Sequence, residues 1–289
     1  MMLLSRALIL FTVLFLPSMG FADQRELVFT AIPDQDESQL QQRFSKVAAY
    51  LEQELGVKVR YLPVKSYGAA VTAFSHDQVQ LAWFGGLSGV RARMRVKGSE
   101  AIAQGYEDQF FKTYFIANVE QTQLKGSVKN LDALEGFTFT FGSKGSTSGR
   151  LMPEFYLREQ FGVVPNKVFT RVGYSGDHSR TIALVESGAF NTGAVNFKVW
   201  DQAVAAGKVD TSKVAVVWQT PGYPDYQWSI RGDVEQRFGV GFKEKVREAL
   251  LTMRSPALLA AFPRQSFVAA SNEDYAPIVD VAKRVGLID

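Results

Sequence analysis

The chain has 289 residues, 46% hydrophobic and 21% charged, with a formal net charge of +3 and no cysteine. That length supports a sizeable core and fits two lobes of ordinary domain size better than one. The 32 basic residues are scattered instead of gathered in a stripe, which argues against a nucleic-acid partner, and the lack of thiols rules out disulfides and a lipid-modified cysteine.

Arg6, the apolar run ALILFTVLFLP and the small-residue stretch Gly20-Phe21-Ala22 have the form of a secretory signal. The run is shorter than the ~20 residues that cross a bilayer, so cleavage is expected rather than anchoring. Residues 1–22 are therefore set aside as a signal peptide, and a soluble periplasmic protein is expected.

The mature chain opens with a buried strand at 26–33 (ELVFTAIP). Leu40, Phe44, Val47, Ala48, Leu51 and Leu55 then recur at helical spacing until Gly56. A second strand follows at 57–64, Ser66 caps a helix through YGAAVTAF, and VQLAWFGG at 79–86 is a third strand ending in a glycine pair. The order β-α-β-α-β predicts a parallel, doubly wound sheet, with ligand-facing positions beyond the strand ends near Pro33, Tyr67 and Phe84.

After TYFIAN at 113–118 a polar stretch breaks the pattern, and a second βα series starts at 137–142 (FTFTFG). It continues with helices at 151–161 and 180–187, the strand TGAVN and the helix FKVWDQAVAAG. The run at 214–223 reads as the strand that crosses back, and helical patterns after it complete the first lobe. The predicted fold is α/β, with two doubly wound lobes joined by a two-crossing hinge. Lobe one spans 23–118 and 220–289, and lobe two spans 119–219.

The richest chemistry lies in FGSKGSTSGRLMP. Phe139 and Phe141 alternate with threonines as in a strand, and Pro153 is tolerated only in a helix's first turn, so Ser146, Thr147, Ser148 and Gly149 form a strand-to-helix turn. A helix amino terminus offers free N–H groups and a partial positive charge, and the hydroxyls add neutral donors. One hydroxyl would suffice for capping, whereas three between glycines suit an oxyanion. The spacing is not that of a P-loop. His178, in YSGDHSRT, stands at a second helix start, and Asn196 ends a buried strand before a third helix. Tyr67 and Phe84 offer aromatic rings from the other lobe, whereas Trp83 is expected in the core and His76 on the surface. Trp218, Tyr223, Tyr226 and Trp228 surround the return crossing as hinge or cleft wall.

In this order, AIPD, LAWFGGLSGVRAR, FGSKGSTSGRLMP, YSGDHSRTIALVESG and YPDYQWSIRGD make the mature chain resemble the substrate-binding proteins of phosphonate-type ABC transporters. Relatives of that kind are assigned to phosphite, phosphonate or selenate uptake. The resemblance implies a type II periplasmic binding fold whose lobes close on an anion. It places Ser146, Thr147, Ser148 and His178 on the oxyanion, with Tyr67 and Phe84 opposite. It also implies an inner-membrane ABC permease with its ATPase as partner. Asn196-Phe197 stands where aminophosphonate binders carry an acidic residue, which points to a small oxyanion without a cationic tail. A monomer without cofactor or metal is expected. The rival readings are an exported serine hydrolase, with Ser146 or Ser148 as nucleophile beside His178 and Asp177, and a binding protein serving a membrane sensor.

Overall fold

The computed structural model describes residues 25–289, and the signal expected over 1–22 lies outside the described residues. The chain begins with β1 (Glu26–Ala31), α1 (Glu37–Leu55), β2 (Lys58–Tyr61), α2 (Tyr67–Ser75), β3 (Leu81–Phe84), α3 (Gly86–Arg95) and β4 (Glu100–Gly105). It then passes through β5 (Thr113–Asn118), β6 (Thr138–Phe141), α4 (Met152–Phe161), β7 (Arg171–Tyr174), α5 (His178–Glu186), β8 (Thr192–Asn196), α6 (Phe197–Ala205) and β9 (Val214–Gln219). It returns in β10 (Gln227–Ile230), α7 (Phe242–Leu251), β11 (Phe267–Ala269) and α8 (Ala276–Val285).

Local chemistry sets these elements. The Asp36 carboxylate accepts the Ser38 and Gln39 N–H groups to start α1, the face Leu40, Phe44, Val47, Leu51 and Leu55 is buried, and Gly56 ends the helix in the left-handed region. All four residues of β3 are buried, as its unbroken apolar run predicts for a central strand.

The strands form two sheets, ordered β11-β4-β10-β3-β1-β2 and β7-β6-β8-β5-β9. The expected parallel pairing is present, β1 with β2 and β3, and β6 with β8; β6 also pairs in parallel with β7, a strand not anticipated from the sequence. The sheets are nevertheless mixed. β10 lies antiparallel between β3 and β4, and β5 lies antiparallel between β8 and β9. Each arrives directly from the opposite lobe with no crossover helix to reverse its direction.

This corrects the expected boundary at 118: residues 113–118 belong to the second sheet. The polar break after them is a short surface helix, Val119–Thr122, and the first crossing precedes β5. The run 214–223 likewise stays in the second sheet to Gln219, and the return falls between β9 and β10.

The two crossings lie side by side. Phe111 and Tyr223 exchange backbone hydrogen bonds of 2.9 and 3.0 Å, and Asp225 N–H donates to the Asp108 carbonyl at 3.0 Å. Arg264 clamps the pair, donating twice to Asp108 at 2.8 and 2.7 Å, with its guanidinium over the rings of Phe111 and Tyr226. In lobe two, helices cover both faces of the sheet, with Phe115, Phe139, Phe141 and Leu157 in one core and Ile116, Ile182, Val195 and Val199 in the other.

Candidate functional site

Between the lobes, helical turns begin just beyond strand carboxyl ends: α2 at Tyr67, α3 at Gly86, α5 at His178, α6 at Phe197, and a turn at Thr147 that leads into α4. Each brings a positive dipole end and N–H groups that its own helical ladder leaves unpaired to one region, with no lysine or arginine needed.

The turn at Thr147–Leu151 is wider than an α-helix. Leu151 N–H bonds the Ser146 carbonyl and Met152 N–H bonds that of Thr147, each five residues back. Pro153 has no N–H to offer Gly149, whose carbonyl instead accepts from Gly142 N–H at 2.7 Å. Wound turns of this kind concentrate at functional sites. The expectation of an unwound turn through Gly149 is corrected accordingly. Gly149 is required for closeness, since a Cβ there would sit 3.0 Å from the His178 ring.

The three hydroxyl residues are all buried, and their roles differ. Ser146 is a cap, its Oγ accepting from Gly149 N–H at 2.9 Å. Thr147 Oγ1 reaches the other lobe and accepts from Leu87 N–H at 3.0 Å, and beside it Ser88 Oγ donates to the Gly145 carbonyl at 2.8 Å. Ser148 Oγ lies 3.5 Å from His178 Nε2.

His178 is fully buried, and burial pushes its pKa down to about 3. Its Nδ1 accepts from Asn196 N–H at 3.3 Å, so the proton of the neutral ring sits on Nε2, directed toward Ser148. The same geometry removes the hydrolase reading. A triad histidine donates through Nδ1 to a carboxylate, whereas here Nδ1 is an acceptor and Asp177 caps α5 through Arg180 N–H at 2.8 Å.

Asn196 does not point a free amide at this region. Its Oδ1 caps α6 through Lys198 and Val199 N–H, and its Nδ2 donates to Tyr226 Oη at 3.0 Å. Tyr226 Oη donates in turn to Asp34 Oδ2 at 2.8 Å, and the Asp34 carbonyl accepts from His178 N–H at 3.1 Å. These bonds tie lobe one to lobe two. Phe84 is likewise displaced from its expected role, its ring fully buried edge-on to Phe74 in the first core. Trp83 packs on Tyr226 and Phe262, and His76 is exposed, both as expected.

Sequence reasoning missed two carboxyls, Asp34 and Asp225, each directly after the proline of a strand-end or crossing segment. The expectation drawn from Asn196-Phe197 concerned that strand end alone, and these two acids stand elsewhere in the buried cluster. Burial pushes Asp34 up to about 6 and Asp225 up to about 7. Asp225 Oδ1 accepts from Gly86 N–H at 2.7 Å, while its Oδ2 is buried with no partner, although the Thr147 hydroxyl stands beside the carboxylate. Tyr67 Oη is also buried without a partner, although the Ser146 hydroxyl stands beside it, and burial followed by the charge of Asp34 holds the phenol well above its ordinary value. The glycine pair Gly85-Gly86 was the available signal: a Cβ on either would crowd Thr147 Oγ1 at 3.3 Å, with Asp225 or Pro224 as close.

Two α/β lobes, a paired hinge and converging helix amino termini define a binding protein that closes on a small anion. Residues 29–275 match the model of the family described as "ABC transporter, phosphonate, periplasmic substrate-binding protein", and the chain belongs to that family. It is 38% identical over 274 residues, 93% of this chain and 92% of the relative, to "Probable ABC transporter phosphite binding protein PhnD1" of Prochlorococcus marinus (strain MIT 9301). The solved structure of that organism's PhnD1 in complex with methylphosphonate superposes with a TM-score of 0.86 at 39% identity, covering 92% of this chain and 100% of that one. A binding-protein component of a phosphonate ABC transporter from Pseudomonas aeruginosa shares the fold, with a TM-score of 0.79 at 20% identity over 91% of this chain and 87% of that one. The chain is thus a periplasmic substrate-binding component of an ABC importer, partnered by a membrane permease and ATPase, and it performs no catalysis.

Proposed function

We propose that this protein captures a singly protonated oxyanion the size of phosphite or methylphosphonate. Ser148, His178 and Tyr67 donate to its oxygens, and its remaining O–H donates to Asp225. The observation that carries this reading is the pair of buried, partnerless polar atoms, Tyr67 Oη and Asp225 Oδ2, beside the hydroxyl run. A buried polar atom without a partner is costly, and a donor and an acceptor together match an anion that still carries one proton. Thr147 and Ser146 support the site indirectly, one by joining the lobes and the other by capping the turn. Neutral donors hold the anion without a full opposing charge, which keeps it releasable to the permease. The same reading includes a signal cleaved after Ala22 and a monomeric mature protein.

A thermal-shift screen at pH 7 tests it with phosphite, methylphosphonate, 2-aminoethylphosphonate, phosphate, sulfate and selenate. A ligand at 100 times its Kd adds about 2.7 kcal/mol of stability. The expected result is a clear shift with phosphite or methylphosphonate that disappears in Ser146→Ala/Thr147→Ala. Sulfate and selenate carry no proton at this pH and should leave melting unchanged. A largest shift with either of them, or with the ammonium-bearing phosphonate, would overturn the assignment.

A further inference from the structure

The buried cluster accounts for holding an anion but not for attracting one. Two carboxyls stand within it, and the nearby buried cation, Arg264, is committed to Asp108. At the rim the balance is reversed. Outside Tyr67 and Gly145 lies an open cleft of about 960 Å³, bordered by Arg91, Arg95, Lys144 and Arg180. Among the described residues none of these four forms an ion pair.

The acids on the same rim are engaged elsewhere. Glu37 is paired with Lys65 at 2.6 Å, and Asp36 and Asp177 accept N–H groups at the starts of α1 and α5. Arg91 donates to the Leu287 carbonyl at 2.7 Å, and Lys144 lies over the Tyr174 ring. Burial, followed by the neighbouring charges of Arg95 and Arg150, pushes the Arg91 pKa down, so like charges crowd this edge, and of the three only Arg150 has an acidic partner among the described residues, Glu154.

We propose that this rim is an anion antechamber, in which Arg91, Arg95, Lys144 and Arg180 draw the oxyanion into the open cleft before the lobes close and pass it to the neutral donors inside. Rim charges in water hold an ion weakly, so they raise its local concentration and its association rate without deepening the final complex. The identity of the anion rests on the function proposed above; the antechamber itself rests on the charge arrangement.

The test is Arg95→Gln/Lys144→Gln/Arg180→Gln, with Arg91 retained because it holds Leu287. Stopped-flow tryptophan fluorescence with phosphite should show an association rate about 3- to 10-fold lower than the parent at low ionic strength. The two proteins should converge near ~0.5 M salt, where the screening length falls to a few ångströms, with dissociation unchanged. An unaltered association rate at low salt, or a loss confined to dissociation, overturns the proposal.

A readout independent of the cargo uses the absence of native cysteine. Thr72→Cys, exposed on the rim, reports the local potential through its relative rates with an anionic aromatic disulfide (DTNB) and a neutral dipyridyl disulfide. Neutralising the three cations should lower that ratio several-fold, and an unchanged ratio overturns the antechamber whichever anion is carried. If phosphite fails to bind the parent protein, the cargo assignment falls and the thiol ratio alone decides this proposal.

Discussion

Replacing Asp225 with asparagine separates the cost of this carboxyl from its use. Burial pushes its pKa up to about 7 against the opposing pull of the Thr147 hydroxyl and Gly86 N–H. Over a range of pH the folded protein therefore keeps a proton that the unfolded chain has released. The stabilisation is complete below the ordinary value of 3.8 and is lost as pH rises through about 7. At about 1.4 kcal/mol per pH unit, the roughly three units involved bound the loss at about 4 kcal/mol. Asp225→Asn retains an acceptor for Gly86 N–H and removes the charge. The variant should melt above the parent at pH 8, with the gap closing toward pH 4, and Asp34, raised to about 6, should leave a residual slope. Its ligand affinity should move the other way. Losing a charged hydrogen-bond acceptor costs about 1.5–3 kcal/mol, roughly a 10- to 150-fold rise in the Kd for phosphite. Differential scanning fluorimetry across pH and calorimetric titration at pH 7 measure both effects. A variant that melts no higher than the parent at pH 8, or that binds phosphite equally well, would refute this account of Asp225.

His178 should remain neutral, with its proton on Nε2, down to pH 5, because burial holds its pKa near 3. With only two histidines in the chain, nitrogen-15 NMR can follow it directly, and titration of the buried ring near pH 6.5 would contradict the assignment. The unfolded chain takes up a proton there that the fold refuses, so this residue lowers stability as pH falls below about 6.5. His178→Ala should weaken phosphite binding by about 1.5–3 kcal/mol, measured by calorimetry. At the hinge, Arg264→Met leaves Asp108 buried and unpaired and should cost about 3–5 kcal/mol of stability, most of it recovered in Arg264→Met/Asp108→Leu. A single variant that melts with the parent would show that the clamp contributes nothing.

Much of the first lobe was legible because its signals are local. Apolar spacing gave α1, the Ser66 cap gave the start of α2, and unbroken apolar runs gave β1 and β3. The same logic located the hydroxyl run and His178 at helix starts, since Pro153 and Asp177 mark those starts by backbone chemistry alone. Sheet membership was not local. Nothing within TYFIAN says that it pairs with residues 192–196 and 214–219, and the polar segment after it resembles a linker when read along the chain.

The division of labour among the site residues was hidden for the same reason. Ser146, Thr147 and Ser148 are equivalent as a string, yet the wide turn aims one at its own backbone, one at α3 and one at His178. Asp34 and Asp225 lie 191 residues apart and become neighbours of one buried cluster only because the second crossing returns β10 between β3 and β4, so that Tyr226 can reach Asp34. An acid in a proline-containing loop is ordinarily a solvated turn residue. Here it is buried against Gly85-Gly86, where the absence of side chains lets Asp225 from the return crossing and Thr147 from the opposite lobe approach the start of α3, and that burial is what the proposed role as ligand acceptor rests on. The proposed preference for a protonated anion therefore rests on the return crossing as much as on the hydroxyl run.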